Sequence, residues 1–159
     1  MKKHGILNKQ LMDAIMDLGH TDVILIGDAG VPISDSKKRV DLAITEDYPT
    51  IDLVLNLVMD EMIFEKVVVA EEQKKFNPIH FQNIERLTKN RYETMEVDVL
   101  SHEDFFAEYL PKAKYIVRTG DFMPWGNVAL VAGIDAKKWF KKDGVIVPDY
   151  YEERTKYDN

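Results

Sequence analysis

Continuous apolar runs alternate with amphipathic stretches along this chain, and the alternation predicts strands and helices in turn. Leu11, Ile15 and Leu18 recur at spacings of four and three, which puts them on one helical face with Asn8 as the capping residue. Gly19 reads as the left-handed residue that ends this helix. "DVILIGD" follows without polar alternation and predicts a strand covered on both faces. Beyond a turn at Gly30 and Pro32, "RVDLAIT" alternates as a strand with one covered face. "PTIDLVLNLVMDEM" reads as a helix with Pro49 near its first turn. "KVVVAEE" predicts another continuous strand, and "NPIHFQNIERLTKN" a helix with Asn77 as cap and Pro78 in its first position. "MEVDVL" predicts a strand, and "SHEDFFAEYL" a helix opened by Ser101 with Asp104 three residues on. "KYIVRTG" and "NVALVAG" predict the last two strands, on either side of the loop "DFMPW". This regular alternation indicates the α/β class: a single layered domain with a largely parallel central sheet flanked by helices.

At 159 residues the chain has the size of one ordinary domain, and its 45% hydrophobic and 31% charged residues suit a globular protein. Twenty-one basic against 28 acidic side chains give a formal charge of −7. That field has the wrong sign for nucleic acid or an anionic membrane, so neither is expected as a partner. Cysteine is absent, which excludes disulfides and thiolate chemistry. Asn8, Lys9, Gln10, Asp13 and Asp17 interrupt the apolar positions near the start, so this stretch reads as an amphipathic helix rather than a signal peptide. No apolar run approaches the ~20 residues of a membrane span. A cytoplasmic location is the expectation.

Candidate chemistry gathers at the ends of these segments. Of the four histidines, His4 lies beside lysines and His80 within a polar helix, and both read as solvated surface. His20 follows the end of the first helix, where the negative pole favours an imidazolium. His102 follows the Ser101 cap, where the positive pole disfavours one. Each effect is about 0.3–1 kcal/mol. The bias casts His20 as proton donor and His102 as acceptor if the two share a cleft; two helix-end histidines serving only as caps fit the residues equally well. Asp28 stands just past the carboxyl end of a buried strand, the edge where open α/β sheets bind ligands, and it equally suits a cap on the Gly30 turn. Asn127 can recognise hydroxyls through its donors and acceptors, or turn the chain into the last strand. "GDAG" is not a dinucleotide loop, and there is no Walker A sequence, His-Glu-x-x-His pair or nucleophile elbow. No cofactor, metal or covalent nucleophile is therefore expected. The pairs Glu71–Glu72 and Asp60–Glu61 read as solvated ends of strands or helices.

Taken together, "KKHGILN", "LGHTD", "DAGVPI", "RVDLAI", "EKVVVAEE", "LSHEDF", "VRTGDFMPWGN" and the "AG" that follows resemble the D-ribose pyranase family, with the fucose mutarotases as more distant relatives. These stretches keep their order from Lys2 to Gly133. The resemblance implies an isomerase that interconverts β-D-ribopyranose and β-D-ribofuranose and so feeds ribose to a ribokinase. It implies that His20 is the proton donor and that Asp28 and His102 bind the sugar. The family loop Pro-Tyr-Ala-Asn contacts sugar through its tyrosine and asparagine; here it reads Pro124, Trp125, Gly126, Asn127. Trp125 keeps an aromatic face but replaces a phenol by an indole that only donates, and Gly126 is nearer the fucose mutarotase pattern. A mutarotase of another sugar such as fucose, and a non-catalytic sugar-binding accessory of ribose transport, are the alternatives.

The resemblance also implies a ring-forming oligomer, a homodecamer of two stacked pentamers, with D-ribose bound at a subunit boundary. Residues 1–133 form the pyranase-like α/β domain on this reading, and residues 134–159 an aromatic-rich extension. The extension holds Trp139, Phe140, Tyr150, Tyr151 and Tyr157, five of the chain's sixteen aromatics. Such a segment is expected to bury some of them, against its own domain or against a neighbouring subunit.

Overall fold

The structure, a computed structural model, describes residues 1–156. Asn8 accepts the Leu11 N–H at 3.0 Å and opens α1 (Lys9–Met16), as its side chain and position predict. The chain then enters β1 (Val23–Gly27), all five residues of which are buried. After β2 (Arg39–Asp41) come α2 (Ile51–Glu61), β3 (Phe64–Ala70), α3 (Glu71–Phe76), α4 (Pro78–Lys89), β4 (Val97–Leu100), α5 (His102–Lys112), β5 (Ala113–Arg118) and β6 (Val128–Ala132). Two short helices follow, α6 (Ala136–Phe140) and α7 (Asp149–Glu152).

The sheet order is β2-β5-β1-β6-β3-β4. Pairings β2–β5, β5–β1 and β3–β4 are parallel, while β6 runs antiparallel to both β1 and β3. Five strands thus share one direction and the sixth is inserted between them. The largely parallel sheet is in this sense mixed, because strand direction depends on a pairing that the periodicity of β6 does not encode.

Alternate residues of each strand feed opposite layers. Ile24, Ile26, Val67, Val69, Val128 and Leu130 meet residues of α1, α2 and α4 on one face. Val23, Leu25, Val68 and Ala129 meet Phe105 and Tyr109 of α5 on the other. Burial on both faces explains why these strands read as unbroken apolar runs.

Several local expectations are corrected. Gly19 is not in the left-handed region; α1 is capped at Asp17, and the positive φ of 72° falls on Thr21. Asp22 accounts for this by drawing Gly19 into a turn, since its carboxylate accepts the Gly19 N–H at 2.8 Å while its own N–H donates to the Gly19 carbonyl at 3.0 Å. "RVDLAIT" yields only the three residues of β2. Asn77 occupies the capping position of α4 without a side-chain cap bond, because its amide donates instead to the Pro124 carbonyl.

His80 is buried, with 2% of its surface exposed. It falls at the i, i+4, i+8 spacing of His80, Ile84 and Thr88, on the face of α4 that also buries Phe81 and Leu87. Among the tail aromatics in the described residues none is buried: Trp139 and Tyr150 are exposed, and Phe140 and Tyr151 are half-buried. Their rings pack mainly on one another, Phe140 on Tyr151 at 5.3 Å and Tyr150 on Tyr151 at 4.9 Å. The segment is anchored by buried Ile134 and Ala136 and by Arg154. Tyr157 lies outside the described residues. No described helix is long and apolar enough to cross a membrane.

Candidate active site

The parallel strands end on a common edge, and most of the candidate residues stand there. Asp28 follows β1, Asn127 precedes antiparallel β6, and His102 begins α5 directly after β4. Asp28 and Asn127 are 99 positions apart and lock together reciprocally. The Asn127 amide donates to Asp28 Oδ2 at 3.0 Å, and the Asp28 backbone N–H donates to Asn127 Oδ1 at 3.1 Å. Asp28 Oδ1 also accepts the Gly30 N–H at 2.8 Å, so the side chain does cap the Gly30 turn while standing at the carboxyl end of β1. Gly27 makes the close approach possible, because a Cβ there would stand 2.6 Å from Asn127 Oδ1 and from Val31. A carboxylate offers about four lone-pair sites; two of them remain free for a ligand hydroxyl, as does one amide hydrogen of Asn127.

The Trp125 loop is held from behind by a buried polar chain. Gln73 is fully buried and donates through Nε2 to the Trp125 carbonyl at 2.9 Å; the same amide lies 3.0 Å from His80 Nδ1. His80 Nε2 lies 3.0 Å from Asp52 Oδ1. Burial alone would raise the Asp52 carboxyl, but the close approach of His80, the hydrogen bond from the Asn83 amide and the nearby Arg86 together bring it below its ordinary value. Asn77 donates to the Pro124 carbonyl at 3.1 Å, and the Phe76 ring packs on the Trp125 ring at 5.2 Å. These anchors hold Trp125 at φ 54°, an unfavourable region for a residue with a Cβ. Gly126 is buried against α2, and a Cβ there would stand 2.8 Å from Ile51 Cδ1 and 3.0 Å from the Met123 carbonyl. The indole is thus backed by the tilted Phe76 ring and is itself half-buried.

His102 is half-buried, its ring edge-on to Phe106 at 4.9 Å. Its backbone N–H donates to Glu72 at 2.8 Å, so Glu72 does more than solvate a strand end. Ser101 accepts the Asp104 N–H as predicted. From β1 to β4 is three strand positions, about 14 Å at the usual spacing, so Asp28 and His102 stand apart along the same end of the sheet rather than touch.

His20 stands elsewhere. It precedes β1 at the opposite edge of the sheet, beside the end of β6 and the start of β3. Its Nε2 meets Glu65 Oε2 at 3.0 Å and Oε1 at 3.2 Å. Seven residues lie between it and Asp28, five of them the extended strand β1 at about 3.3 Å rise per residue, so one chain does not bring these two side chains together. The structure gathers Asp28, Trp125, Gly126, Asn127 and His102 on one edge and leaves His20 on the other. Its observed partner is the Glu65 carboxylate rather than the pole of α1, which ends at Met16.

The turn that presents His20 is pinned on both sides. Thr21 donates to the Ala132 carbonyl at 2.9 Å, and Asp22 accepts from Gly19 and from Lys114 Nζ, at 2.8 and 2.9 Å. The Gly19 N–H, and then Lys114, hold the Asp22 carboxyl below its ordinary value of 3.8. A lowered folded-state value contributes stability that is complete above the unfolded value and lost as pH falls through the folded one. Asp22→Asn should therefore flatten the acid limb of the protein's thermal-midpoint-against-pH curve, and an unchanged limb would show that the link contributes nothing.

Sequence reasoning missed Glu65, Gln73, His80 and Asp52 as members of these two networks, and only the spacing of His80 with Ile84 and Thr88 signalled any of them. Among the described residues no group of three or more His, Asp or Glu side chains is arranged to hold a metal ion.

A model of the RbsD / FucU transport protein family matches residues 1–135. D-ribose pyranase 2 of Rubrobacter xylanophilus is 43% identical over 155 residues, which cover 98% of this chain and 98% of that protein. D-ribose pyranase of Bacillus subtilis is 41% identical over 135 residues, covering 84% of this chain and 98% of that protein. The structure of Bacillus subtilis RbsD complexed with D-ribose matches with a TM-score of 0.76 at 40% identity, covering 84% of this chain and 98% of that one. The relatives thus come in two lengths, one of which shares the segment beyond residue 135.

Proposed function

The chain belongs to the RbsD / FucU transport protein family, and from that premise we propose that it is a D-ribose pyranase. It interconverts β-D-ribopyranose and β-D-ribofuranose, opening the ring to the aldehyde and reclosing it through a different hydroxyl, and so supplies a ribokinase in the cytoplasm. The observation that carries the reading is the likeness to a structure holding D-ribose, aligned through nearly its whole length. The chemistry fits the residues. Ring opening asks for one proton delivered to the ring oxygen and one removed from the anomeric hydroxyl, and positioned acids and bases contribute about 10²–10⁴-fold to such steps.

On this reading Asp28 and Asn127 hold sugar hydroxyls, Trp125 covers the apolar face of the ring, Gly126 brings the loop close, and His102 holds or deprotonates the anomeric hydroxyl. His20 delivers the proton. Glu65 engages its Nε2, which fixes a proton on that nitrogen and leaves Nδ1 as the atom that exchanges with the sugar. Because His20 lies on the edge away from Asp28, it serves the sugar edge of a neighbouring subunit. The assembly is then a closed ring in which each chain gives its histidine edge to the next chain's sugar edge, consistent with a decamer of two pentamers.

Magnetisation exchange between pyranose and furanose anomeric signals tests the activity. Catalytic amounts of protein should accelerate exchange for D-ribose. Binding of ribose without acceleration would make the protein a sugar-binding accessory, and acceleration of L-fucose exchange alone would make it a mutarotase of another sugar.

A further inference from the structure

The segment beyond residue 135 reaches the proposed proton donor through one side chain. Arg154 Nη1 lies 3.1 Å from Glu65 Oε2, the same oxygen that His20 Nε2 meets at 3.0 Å. Its Nη2 donates to the Phe64 carbonyl at 3.0 Å, and the guanidinium sits 5.7 Å from the centre of the Tyr92 ring. The Arg154 side chain is 15% exposed, that of Glu65 22% and that of His20 38%, so the order runs from sheltered cation to accessible imidazole. Gly133 leaves the space that the guanidinium fills, since a Cβ there would stand 2.8 Å from Arg154 Nη2. The fork is therefore held at three points.

We propose that Arg154 is a positioning residue for His20, acting through Glu65. The inference rests on the reading of His20 as proton donor. Glu65 alone would hold an imidazolium tightly and slow its release of a proton. A guanidinium on the shared oxygen fixes the carboxylate's orientation and takes up part of its charge, so the donor is aligned without being over-stabilised. The groups facing this carboxylate are His20 from the turn before β1 and Arg154 and Tyr151 from the C-terminal segment; Tyr92, from the loop after α4, faces the guanidinium instead, with the Asp135 carboxylate acting on its phenol. The phenols of Tyr92 and Tyr151 are both pushed up, chiefly by burial, so neither carries charge near neutral pH. The alternation of charge is thus imidazole, carboxylate, guanidinium. Relatives that end near residue 135, such as the Bacillus subtilis protein, stop short of the position of Arg154.

The test is the pH profile of ribose exchange in the full-length protein and in Arg154→Ala, Arg154→Gln and Arg154→Lys. In the alanine and glutamine variants kcat should fall about 5–10-fold with KM unchanged, and the alkaline limb of the profile should move up by roughly half a pH unit. Lysine should restore the limb, because it keeps the cation, while recovering only part of kcat for want of the fork. A folded glutamine variant with the wild-type limb and kcat overturns the proposal, as does a loss of rate that the pH profile does not share. Failure of the wild-type protein to accelerate exchange would instead overturn the pyranase reading itself.

Discussion

His20→Ala should abolish accelerated ribose exchange, lowering kcat by about 10²–10⁴-fold, while leaving the fold intact. The size follows from the chemistry: without a positioned acid the ring oxygen must take its proton from water. The harmlessness follows from the surroundings. His20 is exposed, and its observed partner is Glu65, a half-exposed pair of the sort worth roughly 0–1 kcal/mol. Thermal unfolding should therefore stay within a few degrees of wild type. Ribose affinity should also survive within a few-fold, because the hydroxyl-binding groups stand on the other edge of the sheet. Full rate in the variant would remove His20 from the mechanism. Loss of binding together with rate would make it a binding residue instead.

What could be read from the residues, and what could not, divides by distance along the chain. The Asn8 and Ser101 caps and the buried strands "VILIG" and "VVVA" were legible because each depends on neighbours within four positions. The antiparallel entry of β6 was not, since it depends on pairing with β1 about a hundred residues away. The same holds for the reciprocal bonds between Asp28 and Asn127 and for the meeting of His20 with Glu65 across 45 positions. His80 looked polar by identity and was buried by periodicity; the spacing was the better guide. One fact about the site was present in plain count. His20 and Asp28 flank a single extended strand, and an extended strand separates its ends, so the two cannot line one pocket of one chain.

That separation leads to the second large effect, in mixed assemblies. Asp28→Ala removes the carboxylate that caps Gly30 and binds the Asn127 amide, and it should be nearly inactive alone, as should His20→Ala. Co-expressed in equal amounts, the two should recover activity together. A boundary is complete when its histidine edge comes from an Asp28→Ala chain and its sugar edge from a His20→Ala chain. Random mixing around a ring of head-to-tail contacts makes this true of about a quarter of boundaries, so the mixture should show roughly a quarter of wild-type kcat at a KM near wild type. If instead both side chains served a site within one chain, every site in the mixture would carry one defect and activity would stay at the level of the parents. Mass spectrometry of the intact assemblies establishes that the chains have mixed, which makes an inactive mixture decisive against a boundary site. Adding Asn127→Ala to the Asp28→Ala chain should leave the quarter unchanged, because both substitutions disable the same edge, whereas placing it on the His20→Ala chain should abolish the recovery.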